Sequence, residues 1–223
     1  MLVARAFVGF AFLFAVIAVV LFGSAGTLAW PRAWWMLAVF FGCAGVITVW
    51  LWNYDKALLE RRVKAGPGSE PDPMQNVVQA LAGIVFLATF VVPGLDRRFG
   101  WSNVPLFASI AGDALVALGF LIVFLTFRAN TFTAGTIELA EGQHLVDSGP
   151  YALVRHPMYA GALVMFVGIP PALGSWWGLL PAAAIVPVLV WRLTREEAFL
   201  AANLAGYGDY RARVRYRLAP AVW

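Results

Sequence analysis

The residues with side chains suited to chemistry are few in this 223-residue chain, and they cluster. Gly149-Pro150-Tyr151 precedes Arg155-His156-Pro157-Met158-Tyr159, and Arg192-Leu193-Thr194-Arg195-Glu196-Glu197 follows further along. Proline is harmless at a first helical position, where its missing N–H would have no partner anyway, so the spacing predicts a helix starting at Pro157. The free N–H groups and partial positive charge of such a start suit a carboxylate or phosphate, and Arg155 adds a full charge beside it. Glu196 and Glu197 suit a cationic ligand, or pair with Arg192, Arg195 or Arg155. A zwitterion with an additional positive centre fits between the two stretches. The plainer reading stands beside it: Arg155 and His156 anchor a helix among headgroups, and the carboxylates belong to a structural ion-pair cluster.

The elements that must hold these residues follow from composition. Hydrophobic residues make up 61% of the chain and charged ones 13%, with a mean hydropathy of +0.77. Soluble domains average about 45–50% apolar and about 25% charged, so the excess calls for a bilayer. Disorder and collagen-like or disulfide-stapled architectures are excluded by the same figures. A single cysteine, Cys43, and two histidines leave no basis for a thiol cluster or a histidine-rich metal site. The net charge of +4 is read as the Lys/Arg excess of a membrane protein rather than as a nucleic-acid surface.

Apolar runs cover about Leu2–Phe22, Ala33–Trp52, Val77–Val92, Val104–Phe127, Pro157–Leu173 and Trp176–Trp191. The first is read as a retained helix rather than a signal peptide. Residues 53–76, with the turn-rich stretch 66–73, read as an aqueous loop, and Pro93-Gly94 as the end of the third run. Asp96, Arg97 and Arg98 then fall in a short loop. The tight Gly174-Ser175 join makes the last two runs a helical hairpin. Asp113, deep in the fourth run, is expected to reach water or a neighbouring polar group. The expected fold is therefore all-α: a polytopic integral membrane protein of about six membrane helices, with a cytoplasmic-face cofactor pocket and a C-terminal interfacial helix. Residues 1–127 supply four spans and 128–223 the chemical core. With both termini cytoplasmic, thirteen Lys and Arg lie inside and three (Arg32, Arg97, Arg98) outside, a strong positive-inside asymmetry. The expected location is an inner membrane of prokaryotic type.

Together, Gly149-Pro150-Tyr151, Arg155-His156-Pro157-Met158-Tyr159, Glu196-Glu197 and Tyr207-Gly208-Asp209-Tyr210, with Val214 and Pro220, resemble the C-terminal signature of the isoprenylcysteine carboxyl methyltransferase family. Membrane phospholipid N-methyltransferases share that core. The resemblance covers about residues 128–223. It implies S-adenosylmethionine as methyl donor, held by Gln143, His144, Leu145, Val146 and Tyr151, by His156, Pro157, Met158 and Tyr159 at the helix start, and by Glu197. It implies Arg155, His156 and Glu196 as catalytic residues, with Arg192 and Arg195 toward the substrate. The acceptor would be a lipophilic or prenylated molecule arriving from the bilayer, and no metal or nucleic acid is involved. Two positions depart from the pattern. Gln143 stands where the family often has His, and Leu193 where eukaryotic members carry a substrate-side Arg, which points to an acceptor other than a prenylcysteine. An NADPH-dependent reductase resembling sterol reductases, and a small transporter, are the alternatives.

Overall fold

The computed structural model describes residues 2–64, 68, 70, 72–133, 136, 137, 139, 140 and 142–223. These form helices with no strand among them. In chain order they are α1 (Leu2–Ala25), α2 (Pro31–Tyr54), α3 (Lys56–Lys64), α4 (Pro73–Phe99), α5 (Leu106–Ala129), α6 (Pro157–Leu173), α7 (Leu179–Asn203) and α8 (Tyr207–Arg213), with a 3-10 turn at Gly149–Ala152. Four of them, α1, α2, α4 and α5, are long and apolar enough to cross a membrane. Helix α6 is as apolar but has 17 residues, about 25 Å of rise. Their outward faces carry Phe7, Val19, Val46, Ile84 and Phe107, all exposed, as a lipid-facing surface requires.

Three readings from the sequence change. Residues 53–76 are not all loop: Asp55 Oδ1 accepts from the Leu58 N–H (2.9 Å) and starts α3, which buries Leu58 and Leu59. Residues 66, 67, 69 and 71 of the turn-rich stretch lie outside the described residues. The third run does not stop at Pro93-Gly94. Helix α4 continues to Phe99 and ends at Gly100 in the left-handed conformation, as proline is tolerated inside a membrane helix packed against its neighbours. Asp96, Arg97 and Arg98 are thus helical, and Asp96 is buried, accepting from the Ser102 N–H (2.7 Å) and from the hydroxyls of Ser102 and Ser175 (2.5 Å each). Asp113 is buried as well, its Oδ1 without a hydrogen-bond partner among the described residues.

Helices α5 and α6 run antiparallel at very close range. A Cβ built on Gly112 would sit 2.6 Å from the Gly168 carbonyl oxygen, and one on Gly119 would sit 2.6 Å from that of Gly161. The reciprocal distances are 2.6 Å for Gly168 and 2.8 Å for Gly161. Small residues let membrane helices approach by their backbones, where packing rather than the hydrophobic effect drives association. This seam fixes the start of α6 relative to the end of α5. Gly112→Ala and Gly161→Ala should therefore lower the melting temperature in detergent, by an overpacking cost of about 1–3 kcal/mol. Gly83→Ala, with open space around its Cβ, should not. Equal melting curves for all three variants would refute the seam.

Candidate functional site

The polar ends of α5, α6 and α7 meet the 128–156 segment and α8 around a cleft with about 860 Å³ of empty space, its open mouth included. One wall is the chain from Gln143 to Val146. Tyr151, Arg155, His156, Pro157, Met158 and Tyr159 form the floor, and Arg192, Glu196, Phe199 and Leu200 of α7 the other wall.

Local sequence explains each position. Gly149 takes a positive φ of 59° and opens the 3-10 turn that presents Tyr151. The Tyr151 hydroxyl accepts from Asn130 Nδ2 (3.3 Å), and its carbonyl accepts from the Tyr210 hydroxyl (2.8 Å). His156 is the residue before the first turn of α6, and Pro157 holds the first helical position. The Gln143 side chain accepts from the Ala140 N–H (2.9 Å), which shapes its own loop, while His144 packs edge-on against Phe132.

Helical phase separates the α7 residues. Leu193 and Glu197, four apart, point inward; Leu193 is 0% exposed and packs with Tyr159, Ile185 and Leu189. Arg192 and Glu196, also four apart, line the cleft. Arg195 falls on the exposed face, outside it. Of the residues singled out from the sequence, the cleft brings together Gln143, His144, Leu145, Val146, Tyr151, Arg155, His156, Pro157, Met158, Tyr159, Arg192 and Glu196.

Glu197 stands behind the cleft wall, 3% exposed. Its Oε1 accepts from Arg155 Nε (2.7 Å) and from His156 Nε2 (3.2 Å), and its Oε2 from Arg217 Nε (3.1 Å). Burial alone would raise this carboxyl. Hydrogen bonds from His156 and Arg155, and their charges, outweigh it and hold the group down to about 2. An ionised carboxylate only accepts, so the Nε2 of His156 must carry the proton.

The sequence reading missed what surrounds this group. Arg155 Nη1 donates to the carbonyls of Val214 and Arg215 (2.8 Å each), and the N–H groups of Arg155 and His156 donate to the Tyr216 and Arg217 carbonyls (2.9 Å each). The segment after α8 is thus strapped under the start of α6. The strap is made mostly by backbone carbonyls, which no side-chain pattern in the sequence signals.

Residues 107–206 match the family model described as phospholipid methyltransferase. The matched segment is similar to that family, in agreement with the resemblance of the motifs. A curated relative, protein-S-isoprenylcysteine O-methyltransferase B of Arabidopsis thaliana, is 31% identical over 123 residues, 55% of this chain and 55% of the relative. The chain therefore spans about half the length of the curated relative it matches. The methyltransferase match contains most of the cleft but ends before Tyr207 and Arg217.

Because Glu197 sits below its ordinary value, the stability it lends is complete above the usual carboxylate range. That stability is lost as pH falls toward about 2. The wild-type melting temperature should drop on acidification through that window, and Glu197→Gln, already destabilised at neutral pH, should show a shallower drop. Parallel pH profiles for the two proteins would refute this role for the carboxylate.

Proposed function

We propose that this chain is an integral membrane methyltransferase that moves a methyl group from S-adenosylmethionine to a lipophilic acceptor reaching the cleft from the bilayer. The observation that carries the reading is the cleft itself: a helix N-terminus beside Arg155, facing a carboxylate wall, inside the segment matched by the methyltransferase family. In this reading residues 128–223 form the chemical core, and residues 1–127 the anchor to which the glycine seam joins it.

The residues present suit the donor. Tyr207 lines the cleft, is 3% exposed, and its hydroxyl has no hydrogen-bond partner among the described residues. Burial raises this phenol, so it stays neutral and keeps a proton to donate. The first-turn N–H groups of Met158 and Tyr159 would suit a carboxylate-sized anion. Leu145, Val146 and Phe199 offer apolar contact to a nucleoside. S-adenosylmethionine supplies an already activated methyl group, so the protein's task is to position the acceptor and keep water away. Glu196, whose Oε2 accepts from the Tyr159 hydroxyl (2.7 Å), is the carboxylate placed to take a proton from an amine or thiol; a carboxylate acceptor needs no base. Glu197 contributes at one remove, by holding Arg155 and His156.

A second, apolar groove runs between Ile122, Leu125, Leu153, Ala160 and Leu218, with Arg128 at its edge, and shares Pro157 with the cleft. This supports sideways entry of the acceptor. In the same reading the α6–α7 hairpin makes the fifth and sixth crossings, with the cleft and both termini on the cytoplasmic side of an inner membrane.

Calorimetric titration of the purified protein in detergent should show binding of S-adenosylmethionine and S-adenosylhomocysteine and none of NADPH. Tyr207→Phe should weaken S-adenosylhomocysteine about two- to tenfold, the worth of one neutral hydrogen bond. Binding of NADPH alone would transfer the reading to a reductase. For orientation, Asn103→Cys in a Cys43→Ala background should label with an impermeant maleimide only from outside intact cells. Labelling only in inverted membranes would reverse the topology.

A further inference from the structure

We propose that Glu70 is a positioning residue for the cleft: a buried carboxylate that clips its loop wall to its helix wall. The inference rests on the donor-cleft reading above and adds a residue outside the segment matched by the methyltransferase family.

Glu70 lies just before α4, and its side chain is 0% exposed. Its backbone is fixed by Asn76 in the first turns of α4: the Glu70 N–H donates to Asn76 Oδ1 (3.2 Å), and Asn76 Nδ2 donates to the Glu70 carbonyl (3.0 Å). Three donors then converge on the carboxylate. Oε1 accepts from Arg192 Nη2 (2.7 Å) and Gln79 Nε2 (3.0 Å), and Oε2 accepts from the Ile137 N–H (3.0 Å). Ile137, in the loop before Gln143, and Arg192, on α7, both line the cleft, whereas Glu70 does not reach it. Whatever Glu70 does for the site, it does through them.

The effect continues along α7. Arg192 Nε donates to the Tyr159 hydroxyl (3.0 Å), which donates to Glu196 Oε2 (2.7 Å). Arg192 and Glu196 are four apart on one helix, a spacing at which an Arg and a carboxylate pair directly. With Glu70 engaging Arg192 from behind, the contact to Glu196 runs through Tyr159 instead. Glu196 therefore keeps its negative charge toward the cleft. Removing the Glu70 charge releases Arg192 toward Glu196 and unpins the loop at Ile137.

The test uses the full chain in detergent, with S-adenosylhomocysteine as probe. Glu70→Gln should weaken the probe roughly tenfold, as expected for loss of a charge-assisted hydrogen bond. It should also speed amide hydrogen exchange across residues 136–146 and leave exchange in α1 and α2 unchanged. Because Glu70 acts partly through Arg192, the Glu70→Gln/Arg192→Gln double variant should lose less than the sum of the two single losses. Unchanged loop exchange in Glu70→Gln, or additive losses in the double variant, would overturn the proposal. If wild type does not bind the probe, the donor reading fails, while the exchange data still decide whether Glu70 clips the loop. Should Glu70→Gln not survive purification, Gln79→Leu removes one donor and keeps the carboxylate. Faster exchange at Ile137 then supports the clip and unchanged exchange refutes it.

Discussion

Everything at the polar end of this molecule depends on one buried carboxylate having enough donors. Glu197 is reached by the adjacent Arg155 and His156 and by Arg217, from two separated parts of the chain. An ionised carboxylate is expensive to bury, and its desolvation is offset only when the geometry is good and the remaining lone pairs are satisfied. The start of α6, the middle of α7 and the tail after α8 are therefore not independently placed; each supplies part of what the others need. The tail answers with its backbone, since the carbonyls of residues 214–217 take up Arg155 and the N–H groups of Arg155 and His156. Local sequence would leave the first turn of α6 as a frayed helix end, whereas this network makes it a fixed surface.

Two adjacent glutamates do different work because of helix geometry. A step of one residue turns the side chain by about 100°, which sends Glu197 into the ion-pair network and leaves Glu196 on the cleft. The same rotation separates Leu193, packed with Ile185 and Leu189, from Arg192, which faces the cleft. A guanidinium at position 193 would enter an apolar cluster, so a leucine there is coherent with local packing. The cation on this wall belongs to Arg192, already engaged by Glu70.

Much of this was legible in the sequence. Apolar run length gave the four helices long enough to cross a membrane, and Pro157 gave the start of α6 to the residue, because proline is favoured at a first helical position. The motif residues from Gln143 to Tyr159, with Arg192 and Glu196, do surround one cleft. What could not be read depends on partners distant in sequence. Glu70 sits in a turn-rich stretch with the composition of solvent-exposed loop, and contacts with Ile137 and with Arg192, 122 residues away, help to make it a buried residue. Pro93 looks like a helix terminator because it lacks the N–H of an i→i−4 bond and its ring crowds the carbonyl one turn earlier; packed against α1 and α7, α4 continues past it. The glycines at 112, 119, 161 and 168 show no special spacing until two helices are laid antiparallel, when their seven-residue intervals align.

Pro157 illustrates why a site of this kind sits where it does. The cleft is lined by charged and hydrogen-bonding groups, the neighbouring groove by aliphatic ones, and Pro157 belongs to both. A residue at that boundary cannot bring an unpaired N–H to the apolar side, where no water would satisfy it. Yet the first position of a helix leaves its N–H without an intrahelical partner. Proline alone meets both conditions, starting the helix without carrying the orphan donor. The N–H groups of Met158 and Tyr159 are then left to the polar side. A polar ligand and an apolar one can thus approach the same helix start from opposite sides without either being presented with the wrong surface.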